Sequence, residues 1–543
     1  MATATVSTFR RPPARRTADR AGAPTRSRGM AGGHNPWLVA IVVSIATFME
    51  VLDTSIANVS LTHIAGELSA SLDESTWVLT SYLVSNAIVL PVSGWLANAI
   101  GRKRFYMGCV FLFTASSLLC GLAPSLGWLI VFRILQGLGG GGLAPSEQSI
   151  LADSFPPDKR GMAFALYGVA VVVAPAVGPT LGGWITDNYA WRWIFFINVP
   201  VGLMSLVLVY FILHDPGPAG GNGKRRGIDY VGFGLVAIGF GALQIVLDKG
   251  QREDWFESRF IQVFTAVAVV AVIVLIVWEL NRRDPVVDVP LFRNLNFAVS
   301  NVVMFAMGFI LFGTTQLLPQ LTQTLLGYTA TIAGEVISPG GFAVLALMPL
   351  VGFLLRHVQP KWLILVGLIF EVTALLYMAT FSLDVSYGKL AWARTIQASG
   401  LAFLFVPIST IAYAGLAPDK TNAASAIINL SRNLGGSFGI SIAQTWLARR
   451  QQFHQTFLVG HASPGNPVYD ARIAEMTHRM AAAGDPGTAA SRALGALLNE
   501  IQRQATMLAY IDVFHWLAIA AAAAMPLIFL LRTIDPKKAQ GGH

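Results

Sequence analysis

Apolar residues fill this chain in long blocks, not in the alternation of strands or the stripes of surface helices. A helix needs about 20 such residues to cross a bilayer. Fourteen blocks approach that length: 37–60, 75–97, 105–123, 126–150, 162–185, 192–213, 229–247, 261–281, 297–318, 330–354, 362–381, 390–413, 423–448 and 510–532. The fold class this predicts is an all-α integral membrane protein with about fourteen transmembrane helices. The rhythm breaks once, over 449–509, where Pro464, Gly465, Pro467 and Pro486 interrupt the chain. Within that stretch Ile473, Met476 and Met480, and then Leu494, Leu497, Leu498 and Ile501, recur at helical spacing. Two amphipathic helices in a small folded element are therefore expected there.

Composition agrees with the blocks. Hydrophobic residues make up 54% of the chain and charged residues 12%, against roughly 25% charged in soluble domains. A surface so poor in charge requires lipid as its partner. The net charge of +9 would suit nucleic acid, but the basic residues lie between apolar blocks, where they set membrane orientation. With the N-terminus inside, inner loops hold Arg102, Lys103, Arg104, Lys159, Arg160, Lys224, Arg225, Arg226, Arg282, Arg283, Arg293, Arg356, Lys361 and Lys420. Outer loops hold Lys249, Arg252, Arg259 and Lys389. That asymmetry predicts cytoplasmic N- and C-termini, with 449–509 on the outer, periplasmic face. Residues 1–36, rich in Arg, Pro and Gly, read as a disordered basic cytoplasmic tail. The apolar run that follows is too long for a signal-peptide core and contains Glu50 and Asp53. Cys109 and Cys120 stand about 16 Å apart along one helix, too far for a disulfide. No metal-ligand cluster, phosphate loop or nucleophile triad stands out, so neither an enzyme nor a cofactor is expected. The spans leave no room for a nucleotide-binding domain, which points to an ion gradient as the energy source.

Charge inside a span costs about 2.5–3.5 kcal/mol on insertion scales and marks function. Glu50 and Asp53 are three residues apart in the first span, on one helix face. Mutual repulsion in a poorly hydrated place favours keeping a proton on one of them. Measured along the helix axes, Glu50 and Asp53 lie about 20 and 24 Å from Trp37, and Arg133 lies about 10 Å from Leu126. In a core about 30 Å thick the three could share one level, so Glu50, Asp53 and Arg133 are the expected proton-coupling group. Glu147 and Glu371 are placed near span ends, reaching headgroups. Glu335 and Arg394 are placed deeper, as a second charged pair or as cavity charges. In the fourth span Gly137, Gly139, Gly140, Gly141 and Gly142 leave one face nearly smooth. In the fifth, Gly178 and Gly182 form a small-residue face, and Pro175 and Pro179 can bend the helix.

These residues fall into a pattern. Leu52-Asp53-Thr54-Ser55-Ile56-Ala57-Asn58-Val59, Arg133-Ile134-Leu135-Gln136-Gly137 and Gly178-Pro179-Thr180-Leu181-Gly182-Gly183 resemble signatures of the major facilitator superfamily, in its fourteen-span drug:proton antiporter branch. Gly94 to Lys103, with Asn98, Gly101 and Arg102, occupies the position of that family's loop gating motif; Asn98 stands where an aspartate is common. Trp193 to Pro200, Leu247-Asp248-Lys249-Gly250 and Asp254-Trp255-Phe256 are similar to inner-membrane pumps of tripartite efflux systems within that branch. The resemblance implies two six-helix halves, 37–213 and 297–532, joined by a 214–296 linker that holds two extra helices, with a cytoplasmic tail at 533–543. It also implies proton-coupled export of small hydrophobic compounds across the inner membrane, with a periplasmic adaptor protein and an outer-membrane channel as partners. A proton-coupled transporter of one metabolite on the same fold, and a non-transport membrane subunit or membrane enzyme, are the alternatives.

Overall fold

The structure, a computed structural model, describes residues 35–213, 229–282, 285–417, 420–482 and 486–533. Both expected tails fall almost wholly outside these residues, as do Lys224, Arg225, Arg226 and Arg283. The N-terminal part runs through α1 (Pro36–Val59), α2 (Leu61–Glu67), α3 (Leu72–Ser75), α4 (Trp77–Ile100), α5 (Arg102–Gly121), α6 (Leu126–Gly140), α7 (Leu143–Ser154), α8 (Pro157–Asn188), α9 (Trp193–Phe196) and α10 (Asn198–Ile212). A pair follows, α11 (Tyr230–Lys249) and α12 (Arg259–Leu280). The C-terminal part comprises α13 (Leu295–Gln320), α14 (Ala330–Leu354), α15 (Pro360–Met378), α16 (Tyr387–Ala412), α17 (Thr421–His461), α18 (Pro467–Ala482) and α19 (Ala489–Ile528).

The helix ends are written in the sequence. Asn35 caps α1, its side chain accepting from the Trp37 N–H, with Pro36 in the first turn. Asp229, Asn294 and Thr329 cap α11, α13 and α14 in the same way. Gly101 separates α4 from α5 at φ 98°, a left-handed conformation that a side chain would strain.

Among the described residues, twelve helices are long and apolar enough to cross a membrane, and α8, bent by 42° beside Pro175, makes a thirteenth. The expected span at 423–448 does not pass that composition test. It lies within α17, which carries Asn422, Ser425, Asn429, Arg432, Asn433 and Gln444. Packed among α4, α13 and α19, α17 meets protein where other spans meet lipid, so its polar residues need not face hydrocarbon. Conversely, α12 leaves Val263, Val270, Ile273 and Val277 exposed for lipid.

α8 packs along α14 and α4 packs along α17, joining the two halves, while α11 docks on α4. At the end carrying Arg102 and Lys420 the halves are latched by neutral polar groups. Asn422 donates to Asn98 and also bonds Ser149, and Asn429 Nδ2 donates to Gln148 Oε1 at 2.9 Å. Stacked rings close the same end, Phe164 on Tyr413 and Tyr167 on Phe405. At the opposite end Asn58 Nδ2 reaches Gln316 Oε1 at 3.3 Å.

Most of the described residues of the 449–509 stretch are helical. α17 continues to His461, α18 turns back, and α19 begins at Ala489 and runs unbroken into the final span. α18 lies on α19, where Arg472 bridges Glu475 and Glu500. At the base Arg450 and His454 both contact Asp512 Oδ2. The last two spans thus extend well past their expected limits.

Candidate functional site

Two helices, α6 and α10, converge on Asp53 of α1. Arg133 Nη1 donates to Asp53 Oδ2 at 2.6 Å. Gln136, one turn along α6, donates Nε2 to Asp53 Oδ1 at 3.0 Å, and Asn198 at the start of α10 donates Nδ2 to the same oxygen at 2.6 Å. Arg133 also donates Nη1 to Gln136 Oε1 and Nε to the Val78 carbonyl. Ser117 of α5 donates to the Phe195 carbonyl and accepts from Asn198. Arg133 is 0% and Asp53 2% exposed, so this ion pair is fully withdrawn from solvent.

Glu50 is buried on α1 but does not join that pair, which corrects the expected three-charge cluster. It accepts instead from Asn86 Nδ2 at 3.2 Å and Tyr82 Oη at 3.4 Å. The Tyr82 ring meets the other site through its face, with the Arg133 guanidinium 4.4 Å from its centroid. Spacing along one helix puts Glu50 and Asp53 on one face but does not choose their partners; the side chain inserted from α4 does. Tyr82 and Asn86 escaped the sequence reading, although polar residues at i and i+4 in a span were a signal. The cation whose field reaches Glu50 is Arg432 of α17, across the interface between halves.

Glycine makes this geometry possible. A Cβ on Gly137 would strike Ser85 and the Tyr82 carbonyl, and one on Gly141 would lie 2.6 Å from the Asn86 carbonyl oxygen. The smooth face of α6 therefore sets how closely α4 presents Tyr82 and Asn86. On α8, Gly178 and Gly182 face Ser55 and Ile56 of α1, and Ser55 Oγ donates to the Pro175 carbonyl at 3.4 Å. Pro179 and Gly183 lie on the same bent helix.

Other expectations are corrected. Glu147 and Glu371 do not reach toward headgroups: both are 0% exposed, and Tyr106 Oη donates to Glu147 Oε1 at 2.8 Å. Glu335 is exposed and is not the partner of Arg394, whose carboxylate neighbour is Glu371. In the loop motif, Arg102 pairs with Asp153 and Lys103 Nζ donates to the Tyr210 carbonyl at 2.7 Å. A Cβ on Gly94 would lie 2.7 Å from the Asn422 carbonyl oxygen, at the latch that Asn98 shares.

The chain is similar to known proteins over nearly all its length. Residues 43–440 match the family model described as Major Facilitator Superfamily. Multidrug export protein EmrB of Escherichia coli (strain K12) is 38% identical over 93% of this chain and 96% of its own. Fatty acid resistance protein FarB of Neisseria gonorrhoeae is 37% identical over 91% and 96%. The proton:xylose symporter XylE shares the fold at a TM-score of 0.58 and 15% identity, covering 92% of this chain and 97% of that one.

Proposed function

The chain belongs to the major facilitator superfamily, as a multidrug efflux transporter, and we propose that it drives export by exchanging protons for hydrophobic cargo. The observation that carries this reading is Glu50: a buried carboxylate held by two neutral donors, beside an acid that already has its own cation. Asp53 is committed to Arg133, Gln136 and Asn198. Glu50 has no such ion pair among the described residues and can take or give a proton without breaking one. Tyr82 links the two sites, its ring on Arg133 and its hydroxyl on Glu50, so a change at Glu50 is felt at the pair. One pH unit supplies about 1.4 kcal/mol per proton, and 100 mV adds about 2.3 kcal/mol per net charge moved.

The cell inner membrane, with cytoplasmic termini, is the location this reading adopts, on the asymmetry of Lys and Arg. A periplasmic adaptor and an outer-membrane channel complete the route, and the helical extension over 449–509 serves the adaptor as its docking surface. In vesicles holding a pH gradient, adding a lipophilic cation should drive proton movement through the wild-type protein and not through Asp53→Asn. Cargo movement without proton movement in the wild type would sink the exchange reading.

A further inference from the structure

The C-terminal half contains a second buried acid–base site, built on the same short pattern as the first. In α6 the sequence Arg133-Ile134-Leu135-Gln136 places Arg133 Nη1 2.8 Å from Gln136 Oε1. In α16 the sequence Arg394-Thr395-Ile396-Gln397 places Arg394 Nη1 2.7 Å from Gln397 Oε1. In both, the glutamine amide then donates to a neighbouring helix: Gln136 to Asp53 of α1, and Gln397 to Thr314 of α13 at 2.8 Å. The second site takes its carboxylate from elsewhere, from Glu371 of α15.

Glu371 differs from Asp53 in one decisive respect. Asp53 is saturated with donors, whereas neither oxygen of Glu371 meets a donor in good hydrogen-bond geometry among the described residues, the Gln397 amide lying close to it without such a bond. A buried polar atom left this way is costly and calls for a reason. Its burial comes from a close helix crossing. A Cβ on Gly400 would lie 2.9 Å from the Gly367 carbonyl oxygen and 3.2 Å from the Glu371 nitrogen. The charged group facing it is Arg394 of α16. α13 contributes the neutral Thr314 and Thr315. α19, packed on the same helix, brings residues such as Phe514, Leu517 and Ala518 to the apolar cluster there. Arg394 Nη2 also donates to Thr315 Oγ1 at 3.2 Å, and Gln316, next in sequence on α13, accepts from Asn58 of the N-terminal half.

We infer that Glu371, positioned by Arg394 and Gln397, is a second carboxylate that takes up and releases a proton during transport, giving each half of the molecule its own protonation site. This rests on the exchange reading above. The proton balance is simple: the carboxylate of Glu371 gains a proton from water on one side of the membrane and returns it to water on the other.

The test has two arms. A hydrophobic carbodiimide reacts with protonated carboxyl groups, so the wild-type protein in vesicles is treated with it at acidic and alkaline pH and its peptides are mapped by mass. Glu371 should acquire an adduct at acidic pH that is lost at alkaline pH. No adduct on Glu371 at any pH would overturn the inference without any variant having to fold. In the second arm, protons moved per tetraphenylphosphonium are measured for wild type, Glu371→Gln and Glu371→Asp. The ratio should fall in Glu371→Gln and return in Glu371→Asp; an unchanged ratio in Glu371→Gln overturns the inference. Wild-type vesicles that show no coupled proton movement would defeat the exchange reading itself, while the labelling arm still reports on Glu371.

Discussion

Two acids three residues apart on one helix meet different fates, and substitutions should separate them. Asp53→Asn leaves Arg133 as an uncompensated buried charge, a loss of about 3–5 kcal/mol. The double variant Asp53→Asn/Arg133→Gln should melt closer to wild type than Asp53→Asn alone, yet show no exchange; thermal unfolding in detergent and proton flux in vesicles measure the two. Glu50→Gln is expected to behave differently. An amide still accepts from Asn86 and Tyr82, so stability should change little while the protons moved per cargo fall. A Glu50→Gln protein with wild-type flux would assign the exchanging proton to another carboxylate. The meeting of Asp53 with Arg133 was legible from depth along two helices. The separation of Glu50 was not, because Tyr82 comes from a helix whose rotation no local pattern fixes. Glu371 was misplaced for a related reason: distance from a span end estimates depth and says nothing about which helix covers a side chain.

Helix faces carry the next level of constraint. On α6 the tolerance for a methyl group should vary with what it meets. Gly141→Ala places a Cβ 2.6 Å from the Asn86 carbonyl oxygen and 2.9 Å from Val89, and overpacking of this kind costs about 1–3 kcal/mol. It should also weaken exchange, since α4 must retreat and carry Asn86 from Glu50. Gly108→Ala on α5 meets nothing within 4 Å and should hold or gain stability, by up to about 1 kcal/mol for a helix interior. Equal melting shifts for the two would show that the glycine face does not set the approach of α4. Such faces were readable as runs of glycine, but which helix they admit was not. α17 shows the opposite failure of legibility: its span was found from length and spacing, while its polar residues, which hold the latch to Asn98 and Gln148, were not recognised as such.

At the scale of the molecule, the helical membrane bundle followed from block lengths, and its division into halves with two extra helices came from the family resemblance, whereas the latch between halves needed the three-dimensional arrangement. The extension over 449–509 was legible as two amphipathic stretches, but its continuity with the spans was not, because periodicity shifts without a break where lipid gives way to water. Replacing 462–488 and the helical ends that flank it with a short Gly/Ser linker should leave exchange in vesicles largely intact. It should reduce adaptor co-purification and resistance in whole cells; full adaptor binding by the shortened protein would refute the docking role. That continuity has a mechanical consequence. α17 contains 41 residues, about 60 Å of helix, twice the roughly 30 Å thickness of the hydrocarbon core. A rod of that length, clamped inside one half, is a lever: each degree through which the half tilts about its inner end sweeps the far tip by about 1 Å. A partner seated on that tip would feel a tilt of the half as a displacement of ångströms, without any change in the tip's own structure.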